Sequence, residues 1–209
     1  MRDPHVVNRT SAQGLMRTLT ASALCLLTLH LGCSEDLTWT AVDRMVEADF
    51  PTVRSITTDS LAARLADSTR QRPILLDVRS PEEFAVSRLP GAHRVDPDAR
   101  SVPGLDTAAP DRPIVVYCSV GYRSARLASR LRTQRDRPVA NLKGSIFRWA
   151  NEGRTVVRDG TPVRAVHPYD NTWGTLLSEP LRTYAPSDSA SPSPRGRNGD
   201  RDGLNEDSP

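Results

Sequence analysis

Apolar residues recur along the chain in two rhythms, and the two alternate between residues 53 and 160. Ile74–Val78, interrupted only by Asp77, and Ile114–Tyr117 are continuous runs of strand length, the pattern of strands buried on both faces. Val53–Ile56 and Pro138–Leu142 read as two further strands, and a short one is expected from His93 to Val95. Between them the spacing turns helical. Leu61, Leu65 and Ala66 follow a start signal at Thr58–Ser60, and Ala125, Leu127, Ala128 and Leu131 follow Ser124. Ile146, Phe147, Trp149 and Ala150 follow Gly144 in the same way. Pro81 in a first turn, with Glu82 and Glu83 at the positive helix end, marks one more helix whose Phe84 is expected to face inward. Strands alternating with helices predict an α/β fold, an open parallel sheet with helices on both faces.

Outside this stretch the pattern changes. Val42, Met45 and Val46 predict a short amphipathic helix within Leu37–Phe50, ended by Pro51, so residues 34–52 are a lead-in helix and linker. Asp96–Pro113 is rich in proline and poor in periodic apolar residues, and is expected to be a surface connection. A strand at Thr155–Val157 and a turn at Asp159–Gly160 close the 53–160 domain. Tyr169, Trp173 and Leu176 make 161–185 a docked extension, and 186–209, without an aromatic residue, is expected to be a disordered tail.

The N-terminus reads as a targeting segment spanning residues 1–33. Arg9 and Arg17 precede an uncharged run, Thr18–Gly32, that is short of the ~20 apolar residues of a spanning helix and suits an export signal. Leu29–Cys33 resembles a bacterial lipoprotein signal, which implies lipidation of Cys33, an exported protein in the cell envelope or periplasm, and a membrane contact through the lipid. Met16 as the start gives a signal of more usual length. Net charge narrows the partners little: +3 over 209 residues, with no basic stripe interleaved with aromatics, gives no argument for nucleic acid, and none is expected as a partner. His167 has no cysteine or carboxylate at ligand spacing, so no metal site is expected.

Chemistry concentrates where the strand Ile114–Tyr117 ends. Cys118, Ser119, Val120, Gly121, Tyr122 and Arg123 form a tight turn into the helix that opens at Ser124. Ligands of open α/β sheets sit beyond the carboxyl ends of strands. Loop amides aimed at a helix N-terminus, the helix dipole and a guanidinium all favour thiolate over thiol. Gly121 lets the backbone curl. Cys118 is thus a candidate nucleophile in an anion-binding cup, and, with Cys25 and Cys33 in the signal, the one free thiol of the mature chain.

This loop, in the form Cys-x-x-Gly-x-Arg-Ser, resembles the active-site loop of the rhodanese family of sulfurtransferases. Leu75–Phe84, Leu89–His93, Asn141–Trp149 and Glu152–Gly153 resemble that family's other signatures, in the same order. The resemblance implies a rhodanese-like fold and a Cys118 persulfide formed from thiosulfate or a persulfide donor, with a thiol or cyanide as acceptor and no cofactor. It implies Cys118 and Arg123 as catalytic residues, and Ser119, Val120, Gly121, Tyr122 and Ser124 as the substrate-binding loop. Asp77 and Arg79 are then architectural, tying the strand end to neighbouring loops. The chain departs from the family at Ser87–Arg88, where Gly-His is common, and His93 either borders the site or packs against a backbone group. Two other readings stay open: a non-enzymatic sulfur carrier, redox sensor or binding module, and a phosphatase or arsenate reductase. The latter loops resemble Cys-x5-Arg, one residue longer than Cys118–Arg123.

Overall fold

The computed structural model describes residues 38–100, 102, 105, 111–134 and 137–186. The expected signal with Cys33 and most of the expected tail lie outside them. Helix α1 covers 38–49, and the elements that follow are β1 (Arg54–Ile56), α2 (Thr58–Ala66), β2 (Ile74–Asp77), α3 (Pro81–Val86) and β3 (His93–Arg94). Then come β4 (Ile114–Tyr117), α4 (Tyr122–Gln134), β5 (Val139–Leu142), α5 (Ser145–Asn151), β6 (Val156–Arg158) and β7 (Thr161–Val163).

Five strands form one parallel sheet in the order β1-β5-β4-β2-β3, so β4, which ends at the loop, sits at its centre. Every residue of β2 and β4 is buried, because helices cover both faces. The two-residue period of a strand divides the core into two layers. Leu75, Val115 and Tyr117 face Leu61 of α2 and Ile146 and Phe147 of α5. Ile74, Leu76, Ile114 and Val116 face Leu127, Ala128 and Leu131 of α4, and Cys118 belongs to this second layer. Removing a side chain as central as Phe147 would cost about 3–5 kcal/mol.

Four local details differ from the sequence pattern. The side chain that caps α2 is Thr57, which accepts the Ser60 N–H at 3.1 Å, so Thr58–Ser60 already form the first turn. In α3 a capping box joins Ser80 and Glu83, and it is Glu83 that turns inward while Phe84 is half-buried under the Arg88 guanidinium. His93 is exposed on the edge strand, paired through its backbone with Leu76, and is not a packed histidine. In the connection after β3, Val102 and Leu105 are buried against Ile114 and Leu127, so it is pinned to the core rather than lying wholly on the surface.

The sheet's surroundings are completed from both ends of the chain. Val42 of α1 is buried in the first layer, and Arg148 of α5 binds Asp43 at 3.1 Å while stacking on Trp39. Strands β6 and β7 form a hairpin over Asp159–Gly160, both at positive φ as a type I′ turn requires. Val166, Leu177 and Leu181 are buried with Trp149 and Phe147, so residues beyond the hairpin supply core rather than only a covering. Among the described residues no helix is long and apolar enough to cross a membrane.

Candidate active site

Helix α5 organises the loop from behind. The carbonyls of Cys118 and Ser119 accept the N–H groups of Ile146 and Phe147 at 3.2 and 3.1 Å. The Cys118 N–H donates to Ser145 Oγ at 3.1 Å, and that hydroxyl donates to the Leu142 carbonyl at 3.1 Å. Ser145 itself stands at φ +49°, a left-handed conformation that a serine adopts only where its surroundings impose it. Asn141 Nδ2 donates to the Gly121 carbonyl at 3.0 Å. With these carbonyls fixed outward, backbone N–H groups are left for the interior of the turn.

The sulfur uses them. The Gly121 N–H donates to Cys118 Sγ at 3.2 Å, from a residue at φ +115° that a side chain would strain. Ser124 Oγ lies 3.5 Å from Sγ and 3.2 Å from the Gly121 carbonyl. Burial pushes the Cys118 thiol up, but the Arg123 charge, the Ser124 hydroxyl and the backbone N–H groups of Ser124 and Gly121 outweigh it. The net effect lowers the thiol below its ordinary range and so favours the thiolate.

Arg123 is held rather than free. Its Nη1 and Nη2 donate to Glu83 at 2.9 and 2.8 Å, and Nη2 also donates to Ser119 Oγ at 2.9 Å. Ser119 Oγ in turn donates to Glu83 Oε1 at 2.7 Å, so the serine side chain, 3% exposed, is spent on this network. The guanidinium carbon lies 4.5 Å from the Tyr169 ring centroid, a cation–π contact. Burial opposes the charge of Glu83, yet Arg123, the Ser80 backbone and Ser119 hold its carboxyl below the usual carboxylate range. Burial likewise opposes the charge of Arg123, and Glu83 and the Cys118 thiolate raise its pKa above the ordinary arginine value.

The remaining loop residues divide between packing and rim. Val120 is buried in the first core layer, whereas Tyr122 is 36% exposed, stacked edge-on against Phe50 and bonded through its hydroxyl to Asp49 at 2.8 Å. A cavity of about 260 Å³ opens over Cys118 between Met45, Asp49, Tyr122, Arg123, Tyr169 and Trp173. Asp77 and Arg79 lie apart from it, both fully buried, with Arg79 donating to Asp77 at 2.9 and 2.7 Å and to the Ser87 carbonyl at 2.5 Å. Among the described residues no cluster of His, Cys, Asp and Glu could hold a metal ion. Glu83, Asn141, Ser145, Tyr169 and Trp173 are site residues that the sequence pattern does not single out for this role. Only Glu83 carried a signal, the Ser-x-x-Glu spacing of a capping box.

Comparison with known proteins identifies relatives of this chain. Residues 57–152 match the family described as Rhodanese-like domain. A sulfurtransferase of Allochromatium vinosum is 35% identical over 106 residues, which are 50% of this chain and 95% of that protein. An uncharacterised protein of Bacillus subtilis is 32% identical over 78 residues, 37% of this chain and 61% of that one. Among solved structures, a rhodanese-like domain protein from Staphylococcus aureus is 28% identical, with a TM-score of 0.43, covering 51% of this chain and 99% of its own.

Proposed function

The chain belongs to the rhodanese-like family, whose relatives include sulfurtransferases, and from that premise we propose that it transfers sulfane sulfur through a persulfide on Cys118. The observation that carries the reading is the Gly121 N–H at 3.2 Å from Sγ, with the Cys118 thiol lowered below its ordinary range. A buried thiolate with an N–H donor aimed at it is a nucleophile, and the same donor can hold the negative terminal sulfur of a persulfide.

In the first step the Cys118 thiolate attacks the outer sulfur of the donor. The donor's S–S bond breaks and its electron pair leaves with the departing group, sulfite from thiosulfate or a thiol from an organic persulfide. In the second step an acceptor thiolate, or cyanide, attacks the terminal sulfur of the Cys118 persulfide. That S–S bond breaks and returns the pair to Cys118 as thiolate. Two half-reactions through one covalent intermediate give ping-pong kinetics. Thiocyanate released from cyanide by donor-treated protein, and absent with Cys118→Ala, tests the cycle. Equal thiocyanate from both proteins would end this reading.

For location, we propose export and acylation at Cys33, supported by Arg9 and Arg17, the uncharged Thr18–Gly32 run and Gly32 directly before the cysteine. More than one acyl chain makes such anchoring stable.

A further inference from the structure

The cavity over Cys118 is walled in part by residues outside the 57–152 stretch that matches the family. Met45 and Asp49 come from α1, and Tyr169 and Trp173 from the segment after the β6–β7 hairpin. Their placement is built. Asp170 Oδ1 accepts the N–H groups of Thr172 and Trp173 at 2.9 and 2.7 Å and so holds the turn that carries the indole. Tyr169 stands at φ +69°, a conformation unusual for a tyrosine, with its N–H donated to His167 Nδ1 at 3.0 Å. In that position its ring covers the Arg123 guanidinium.

Charge at this mouth is unfavourable to a small dianion. Among the described residues Arg123 is the cation that lines it, and Glu83 already takes two of its N–H groups. Asp49 adds a carboxylate at the rim. What remains available is apolar and aromatic surface on Met45, Val120, Tyr122, Tyr169 and Trp173. Sites of that kind take the organic body of a ligand and orient its reactive end with a few polar groups.

Resting on the Cys118 sulfurtransferase reading, we propose that this mouth binds the uncharged aliphatic or aromatic body of an organic thiol. The sulfane sulfur then arrives as that thiol's persulfide rather than as inorganic thiosulfate, and Tyr169 and Trp173 set the preference. The step is Cys118 thiolate plus R–S–SH giving the Cys118 persulfide plus R–SH. The bond between the two donor sulfurs breaks, and the proton passes from the terminal sulfur to the leaving thiolate.

The test uses two thiosulfonates, methyl and benzyl methanethiosulfonate, on the full chain. Cys118 thiolate attacks the sulfenyl sulfur, methanesulfinate leaves with the bonding pair, and a mixed disulfide remains. The measured quantity is the benzyl-to-methyl rate ratio divided by the same ratio for a free thiol in solution. The proposal expects a normalised ratio of about ten or more, the discrimination an apolar pocket supplies between ligands differing by a few carbons. It expects Tyr169→Ala with Trp173→Ala to bring that ratio close to one, and Tyr169→Phe with Trp173→Phe, which leave an aromatic ring at each position, to retain most of it. A ratio near one in the wild type, or one unchanged in the double alanine variant, overturns the proposal. So does sulfur transfer that is faster from thiosulfate than from benzyl persulfide. Because disulfide formation needs only the thiolate and the mouth, a protein that forms no persulfide would still give this ratio, and the two failures remain distinct.

Discussion

Arg123 and Glu83, forty positions apart, meet through two charge-assisted hydrogen bonds of 2.9 and 2.8 Å beneath the Cys118 loop. Glu83 is 2% exposed, so the bond compensates a carboxylate that would otherwise be costly to bury. Through this pair α3 holds α4, and α4 holds the charge that lowers Cys118.

Glu83→Gln should therefore lower the unfolding free energy at pH 7 by about 2 kcal/mol in urea titrations, the range for a hydrogen bond to a charged group. The effect should depend on pH. Glu83 has its folded-state value depressed below 4.5, so its stabilisation is present above the unfolded value and is lost as pH falls through the lower folded one. The gap between wild type and variant should close in acid below that window. A gap that stays constant down through it would contradict the pairing.

Ionisation of Cys118 is open to direct titration by alkylation. The rate should rise with pH around a midpoint below 9.0, because the thiolate reacts and the thiol does not. Arg123→Gln should move the midpoint up, and Arg123→Lys should move it up by less, since a point charge replaces part of the field but not the planar fork. A midpoint indifferent to both changes would mean that the guanidinium does not act on the sulfur.

Ser145→Ala isolates the support behind the loop. It removes the acceptor of the buried Cys118 N–H and should cost about 1–3 kcal/mol in stability. Persulfide formation should slow by about tenfold as the loop amides lose their aim. Stability lost with no change in rate would reduce Ser145 to a packing role.

The legible part of this site was local in the chain. A β-branched run, a cysteine, a glycine at a forced turn and a helix start within about ten residues describe a strand–loop–helix site, and β4, Cys118, Gly121 and α4 form it. The partners that complete it were not legible, because the sheet order β1-β5-β4-β2-β3 brings them together from afar. Asn141 and Ser145 reach the loop only because β5 runs beside β4. Glu83 looked like a residue for a helix dipole, and α3, six residues long, has too few turns for periodicity to reveal its buried face. Val102 and Leu105 were hidden in the same way, two apolar residues among prolines with no rhythm to mark them as core.

Cys33→Ser should move the protein from the membrane to the soluble fraction, or leave it unprocessed, when cells are fractionated and the N-terminus is read by mass. Soluble, unacylated wild-type protein would remove the lipid anchor and leave simple export.

Sulfur transfer itself reduces to one measurement, the intact mass of the purified protein after exposure to a sulfane donor and removal of excess reagent. The persulfide reading predicts a gain of one sulfur atom in the wild type, its loss on adding cyanide or a thiol, and no gain in Cys118→Ala. A wild type that gains no sulfur from thiosulfate or from an organic persulfide, or a Cys118→Ala variant that gains it equally, would contradict it.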